Sequence, residues 1–295
     1  MSGGRSSRAL RGLLLGALGV FTFSFTLPFT RVAVAEIPAP AVGFGRMVIP
    51  GLFGALYLYL SDATRPRGRT WLRLLVVTSG IGFGFPLFTA LALRTVPSSH
   101  AAVVVGFNAI TTAVAAVLLG RERPSAAFWL VSAAGFVAVL VYGWTQGAAD
   151  VRLGDAYLLV AVVMVGIAYA EGGYLAREML SFQVLCWALV LAMPIAIPVS
   201  LLSFAGGSHT ASARALGAFA YVSLVSQFLG LYVWYMGLSL GGVARVGQIQ
   251  LAQPLLTLVW SGLLLGERIV WPTVASATAV MLCGLASLRI RVGQR

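Results

Sequence analysis

The sequence predicts an all-α integral membrane protein of about ten transmembrane helices in two inverted five-helix repeats, and three observations carry that prediction. Of 295 residues, 59% are hydrophobic and 9% charged, with a mean hydropathy of +0.94, whereas a soluble domain carries about a quarter charged residues. The apolar residues fall in runs of about 20, the length that crosses a hydrocarbon core about 30 Å thick. The charges stand where those runs end, and two stretches of the chain match each other at an offset of 145 residues.

Taken in order, the runs place helices near 10–29, 40–60, 71–91, 98–119, 126–143, 155–176, 181–202, 215–238, 244–265 and 271–288. The first follows a basic start, Arg5, Arg8 and Arg11, and Ala33-Val34-Ala35 before Glu36 resembles a signal-peptidase site. The run from Leu13 to Phe29 exceeds the roughly 7–15 residues of a signal h-region and Arg31 interrupts the approach, so a retained helix is expected. Arg65, Arg67, Arg69 and Arg73 separate the second and third helices. Pro124 and Pro272 are expected just inside the starts of the fifth and tenth, where the missing amide proton costs nothing.

The net charge of +12 comes from twenty Arg and no Lys against eight acids. With the N-terminus inside, fourteen Arg fall on the cytoplasmic side, five on the other, and Arg46 lies within a span. This asymmetry predicts that both termini are cytoplasmic in an inner or plasma membrane, and it supports an even helix count. Arginines that mark helix ends argue against nucleic acid as a partner. Cys186 and Cys283 lie inside apolar runs, and His100 and His209 are expected in loops, so no metal or other cofactor is expected. Neither a Ser/His/Asp set nor a phosphate loop is present, which argues against hydrolysis and ATP-driven work by this chain, and no enzyme is expected.

The repeat is read from AVAAVLLGRERPSAAFWLVSAAGF (113–136) and LVWSGLLLGERIVWPTVASATAVM (258–281), in which Glu122-Arg123 matches Glu267-Arg268. The halves are 10–143 and 154–288, with 144–153 as linker. Five helices is an odd number, so the second half enters the membrane upside down, the ground plan of many secondary transporters.

The segment GVARVGQIQLAQPLLTLVWSGLLLGERI resembles the EamA-type repeat of the drug/metabolite transporter superfamily, in which a small-residue entry leads to a mid-helix Pro and then to a Gly-Glu-Arg ending. Pro254 and Gly266-Glu267-Arg268 fit without gaps, whereas the first half has Asn108-Ala109 at the Pro position and Arg121 between Gly120 and Glu122. The resemblance covers both halves. It implies ten helices around a central cavity, cytoplasmic termini, and often export of small metabolites, amino acids or toxic compounds.

Candidate site residues follow from polarity inside the runs. Asn108, Thr111 and Thr112 form one stripe on the fourth helix, and Gln250, Gln253 and Thr257 one on the ninth. At the repeat offset Asn108 answers Gln253 and Thr112 answers Thr257, so Asn108, Thr112, Gln250, Gln253 and Thr257 are expected to bind substrate or to hydrogen-bond helices together. Arg46 suits a carboxylate or phosphate, or else holds a helix end through carbonyls. Phe228, Tyr232 and Tyr235 form an aromatic face suited to a ring or cation, or to packing. Glu171, the sole acid within an apolar run, is expected to carry a coupling proton or to pair with an Arg near the inner end. Glu122 and Glu267 read as interfacial caps. Glycines 80, 82 and 84, with Gly262 and Gly266, read as sites of close helix approach.

The function expected is a secondary carrier, an exporter by preference, that moves a small organic metabolite or drug by alternating access. Its partners are then the solute, protons as coupling ion and the lipid bilayer, in a monomer or homodimer. A membrane-embedded enzyme for a lipid-linked substrate, with Glu171 and Arg46 as its groups, and a non-transporting scaffold or sensor are the alternatives.

Overall fold

A computed structural model describes residues 3–61, 63, 65–119, 122–145, 153–205, 211–288 and 292–294. Helices occupy all ten expected places. Eight of those described are long and apolar enough to cross a bilayer: α1 (Ser7–Val34), α2 (Ala39–Leu60), α3 (Arg69–Ala92), α4 (Ser98–Leu118), α6 (Leu153–Glu178), α7 (Ser181–Ala205), α8 (Ala213–Gly241) and α9 (Val243–Leu265). The fifth and tenth are α5 (Ala126–Thr145) and α10 (Trp271–Leu288). Of the linker expected at 144–153, residues 144, 145 and 153 belong to α5 and α6, and 146–152, like His209, lie outside the described residues.

The outer surface is apolar. On α1, Leu10, Leu14, Leu18 and Phe21 make an exposed stripe at helical spacing, and Leu52, Phe53, Leu56 and Leu60 do the same on α2. Leucine facing out and Arg, Gln, Asn and Thr facing in reverse the pattern of a water-soluble bundle, as a lipid solvent requires.

Within the bundle α1 packs along α8, α2 along α7, α3 and α4 along α6, α4 also against α9, and α5 against α10. Small residues allow the closest of these approaches, since lipid offers no hydrophobic drive and contact depends on fit. A Cβ on Gly12 of α1 would lie 2.5 Å from the amide nitrogen of Gly241, and one on Gly80 of α3 would lie 2.3 Å from the carbonyl oxygen of Met164. The glycines of α3 thus serve packing.

Two short connections matter later. Gly242 alone separates α8 from α9, and its φ of 93° is a conformation that a side chain resists. Met179 and Leu180 alone separate α6 from α7. Gly266, at φ 63° and ψ 22°, ends α9 as a left-handed cap.

Three expectations change. Pro124 precedes α5 rather than entering it, because Glu122–Pro124 (β1) pairs antiparallel with Val292–Gln294 (β2). His100 lies in the first turn of α4, where its Nε2 is 2.6 Å from Asp155 Oδ1. The first half bends without proline, since α4 is interrupted at Gly106 and Phe107, just before Asn108.

Candidate functional site

Most helices that meet at the centre are irregular there. α1 is interrupted at Phe25 and α2 at Arg46 and Met47, while α3 carries a π-helical stretch over Thr78–Gly84, α8 one over Tyr221–Gly230, and α9 a 3-10 turn over Gln248–Ala252. Each irregularity changes the hydrogen-bond ladder, and buried backbone groups so released must find other partners. Some do so across helices. Gln227 Nε2 donates to the Ile81 carbonyl oxygen at 2.8 Å, joining the two π segments, and Ser223 Oγ donates to the Arg46 carbonyl oxygen at 2.8 Å.

These segments enclose a central chamber lined by Phe23 and Thr26 (α1), Arg46 (α2), Ile81 and Phe85 (α3), Asn108 (α4), Val165 and Tyr169 (α6), Ser226, Gln227 and Leu231 (α8), and Gln253 (α9). Its volume of about 20 Å³ has room for about one water molecule, so the helices stand close in this conformation.

The polar groups of the chamber are unevenly satisfied. Thr26 Oγ1 and Ser226 Oγ lie 2.7 Å apart. Arg46 is 2% exposed; its Nη2 reaches Ser226 Oγ at 3.4 Å, whereas Nε and Nη1 have no protein partner among the described residues. Asn108 Oδ1 and both ends of the Gln250 amide likewise have none. Gln253 Nε2 donates at 3.5 Å to the Phe23 carbonyl oxygen where α1 is broken.

Arg46, Asn108 and Gln253, picked from the sequence, are thus brought together. Gln250 is buried close by in the chain, on the 3-10 turn of α9. The hydroxyls of Thr112 and Thr257 are engaged elsewhere: Thr112 donates to the Asn108 carbonyl oxygen at 2.6 Å and Thr257 to that of Ser24 at 2.9 Å. Tyr232 lines a separate open cleft with Tyr57, Phe182 and Ser239 at the end of the bundle where α1 begins. Tyr235 is buried against Gly172, its hydroxyl donating to the Ala168 carbonyl oxygen at 3.4 Å. Thr26, Tyr169, Ser226 and Gln227 line the chamber without having been picked out.

Glu171 does not line the chamber. Its carboxylate accepts a hydrogen bond from Arg73 Nε, while Arg73 Nη1 donates to Glu178 Oε2 at 2.6 Å. Glu171 is 4% exposed, so the ion pair stands at the buried edge of the end where α3 starts and α6 stops.

The opposite end is fastened by carboxylates on helix N-termini, where amide protons point outward. Glu267 accepts from Ser98 N (2.9 Å), Ser98 Oγ (2.8 Å) and Ser99 N (2.9 Å) at the start of α4. Burial alone would raise its pKa, but hydrogen bonds from Ser99 and Ser98 hold it below the ordinary carboxylate value. Glu36 accepts from Ser212 N at 2.6 Å and Ser212 Oγ at 2.9 Å ahead of α8, and these bonds, with Arg214 nearby, lower its pKa too.

Known proteins agree with this architecture. The model of the EamA-like transporter family matches the chain twice, over residues 10–144 and 152–289. The uncharacterized transporter YdeK of Bacillus subtilis (strain 168) is 40% identical over 283 residues, which cover 96% of this chain and 99% of the relative. The pseudopaline exporter CntI of Pseudomonas aeruginosa (strain UCBPP-PA14) is 24% identical over 222 residues, 73% of this chain and 75% of the relative. A protein known from a crystal structure shares the fold, with a TM-score of 0.73 at 16% identity over 94% of this chain and 97% of that one. With both halves matched by the family model and the inward-facing polar chamber that a solute pathway needs, this multi-pass membrane protein belongs to the EamA-like transporter family.

Proposed function

We propose that the chain is a secondary exporter that carries a small, partly polar organic solute across the inner or plasma membrane by alternating access, with both termini cytoplasmic. The observation that carries this reading is the central chamber: polar side chains in the middle of an apolar bundle, at the level where six helices lose regular geometry. Discontinuous helices at the midplane are where inverted-repeat carriers hold their solutes. Export is the direction named for CntI.

The two halves, 10–143 and 154–288 with a linker at 144–153, are assigned as inverted repeats. The packing supports this, since exchanging α1 with α6 and α3 with α8 carries the α1–α8 contact onto the α6–α3 contact. The π segment of α3, moved by 145 positions, falls inside that of α8, and the break at Gly106 falls inside the 3-10 turn of α9. Asn108, Gln253 and Arg46 are assigned to the solute. Gln250, whose amide has no protein partner among the described residues, is assigned to the solute with those three. Thr112 and Thr257 bond to carbonyls beside the helix breaks that shape the chamber, and Tyr232 and Tyr235 flank the path toward the end where α1 begins.

Glu171 is assigned to proton coupling. A proton arriving there neutralises the carboxylate and leaves Arg73 to Glu178, which loosens the contact between α3 and α6 at the cytoplasmic end.

The test is paired flux and accessibility. Cysteines at Asn108 and Gln253 should react with a small polar thiol reagent, and solutes that proteoliposomes carry should protect both. If neither position is ever reached from water in a protein that still transports, the chamber is packing and the path lies elsewhere.

A further inference from the structure

The chamber holds one charge. Arg46 is the sole charged residue among those lining it, and it stands at the break in α2, inside an apolar bundle, at 2% exposure. A guanidinium in such a place costs at least a few kcal/mol unless something of opposite charge meets it. Among the described residues the protein does not supply that charge. The five acids whose side chains are described are engaged elsewhere: Glu36 with Ser212, Asp155 with His100, Glu171 and Glu178 with Arg73, and Glu267 with Ser98 and Ser99.

We infer that Arg46 is the carboxylate-binding residue of the transport site, and that the cargo is an organic monocarboxylate with a hydrogen-bond donor beside its carboxylate, as in an α-amino acid. The inference rests on the transport reading above and adds the chemical class of the cargo.

The geometry of the free atoms supports the class. Nε and Nη1 are the two guanidinium nitrogens without protein partners, and they flank Nη2, so each of the two forks that a carboxylate meets with parallel hydrogen bonds, Nε with Nη2 and Nη1 with Nη2, has one nitrogen wholly free. Nη2 makes one contact, to Ser226 Oγ at 3.4 Å, and its second hydrogen completes a fork for the same ligand. One cation balances one carboxylate, whereas a phosphate dianion would leave negative charge without a partner in a chamber with no second base. Asn108 Oδ1, also unpartnered, is an acceptor on the chamber wall, suited to the ammonium or amide hydrogen next to the carboxylate. Phe23, Ile81, Phe85, Val165 and Leu231 are the apolar part of the lining, which the remainder of the cargo would meet once the helices part from the present volume of about 20 Å³.

Arg46 does not serve as a helix-end clamp. Its own carbonyl accepts from Ser223, and its guanidinium donates to no carbonyl among the described residues.

The test uses the purified full chain in lipid nanodiscs and acid–amide pairs as probes: each natural α-amino acid and its primary amide, benzoate and benzamide, and inorganic phosphate as a separate arm. A ligand that binds the folded form raises its melting temperature. At least one acid should do so with wild-type protein while its amide, equal in size, does not. Arg46→Gln should raise the half-saturating concentration of that acid about tenfold to a hundredfold, the loss of charge-assisted hydrogen bonds, and Arg46→Lys should fall between. The acid–amide contrast is read on wild-type protein, so it stands whether or not the variants fold.

The inference is overturned if amides stabilise as well as their acids, if phosphate does so as well as any acid, if no acid stabilises, or if Arg46→Gln binds acids as wild type does. Solute flux in proteoliposomes that persists under any of those results keeps the transport reading and removes only the carboxylate. Absence of flux for every solute tried, with acid binding intact, does the reverse.

Discussion

Replacing Glu267 should weaken the fold in a way that depends on pH. The carboxylate takes three hydrogen bonds at 2.8–2.9 Å from the first turn of α4, and Ser98 Oγ also lies 2.8 Å from Ser261 Oγ of α9. The contact therefore ties the end of α9 to the start of α4, the two helices that carry Gln253 and Asn108. Hydrogen bonds to a charged group are worth about 1.5–3 kcal/mol each when desolvated, and a helix N-cap about 0.5–2 kcal/mol. Glu267 is partly exposed, so screening reduces the sum, and we expect Glu267→Ala to cost about 1.5–2.5 kcal/mol near neutral pH. Glu267→Gln, which keeps an acceptor but loses the charge, should cost about half as much. Because the folded pKa lies below the ordinary 4.5, the stabilisation is complete above that value and is lost as pH falls through the folded pKa. Thermal or chemical unfolding in nanodiscs at pH 7 and again below pH 4 reads the difference. Glu267→Ala as stable as wild type at pH 7, or a deficit that stays constant on acidification, refutes the reasoning.

Further outcomes follow from the same contacts. Gly80→Ala should destabilise by about 1–3 kcal/mol, because the new Cβ would meet the Met164 carbonyl at 2.3 Å and Ala168 Cβ at 2.4 Å; an unchanged melting temperature would show that α3 and α6 part easily. Glu171→Gln should abolish transport driven by a pH gradient while solute exchange survives, and uphill transport equal to wild type, with the same pH dependence, would make Glu171 structural. Tyr235→Phe loses one 3.4 Å hydrogen bond to Ala168 and should change stability by less than about 1 kcal/mol with flux intact; a large flux defect would place its hydroxyl on the solute path. Topology reporters fused at Arg295 and near Asp150 should read inside and outside, and an external signal at Arg295 would overturn the orientation.

The helices were legible because lipid sets their length and composition at once, so every expected run holds a helix. Arg46, Asn108 and Gln253 were legible as polar groups where an apolar residue is cheaper. The aromatic face of α8 was less so, since regular helical spacing puts Phe228, Tyr232 and Tyr235 together. Phe228 and Tyr232 do stay together, both against the Phe182 ring, whereas Tyr235, three residues further on, turns to Tyr169 and Gly172. Tyr169 stood two residues from the more conspicuous Glu171, and Thr26 sat beside a break in α1 that Pro28 marks, since the missing amide proton leaves the Ser24 carbonyl to Thr257. Thr112 and Thr257 show the limit of reading a stripe: a hydroxyl can turn back to a carbonyl on its own helix or across to a neighbour's, and sequence does not say which.

The short joints give the bundle a mechanical layout. One residue spans less than 4 Å, so with Gly242 alone between them α8 and α9 behave as two arms of a bell crank: tilting one levers the other. Met179 and Leu180 couple α6 to α7 almost as tightly. Between α2 and α3 the sequence has eight residues, 61–68. Force applied at Gln253 is therefore delivered to Ser226 and Gln227 through the α8–α9 joint, whereas α2, which holds Arg46, is coupled to α3 by packing, Gly43 lying against Leu87.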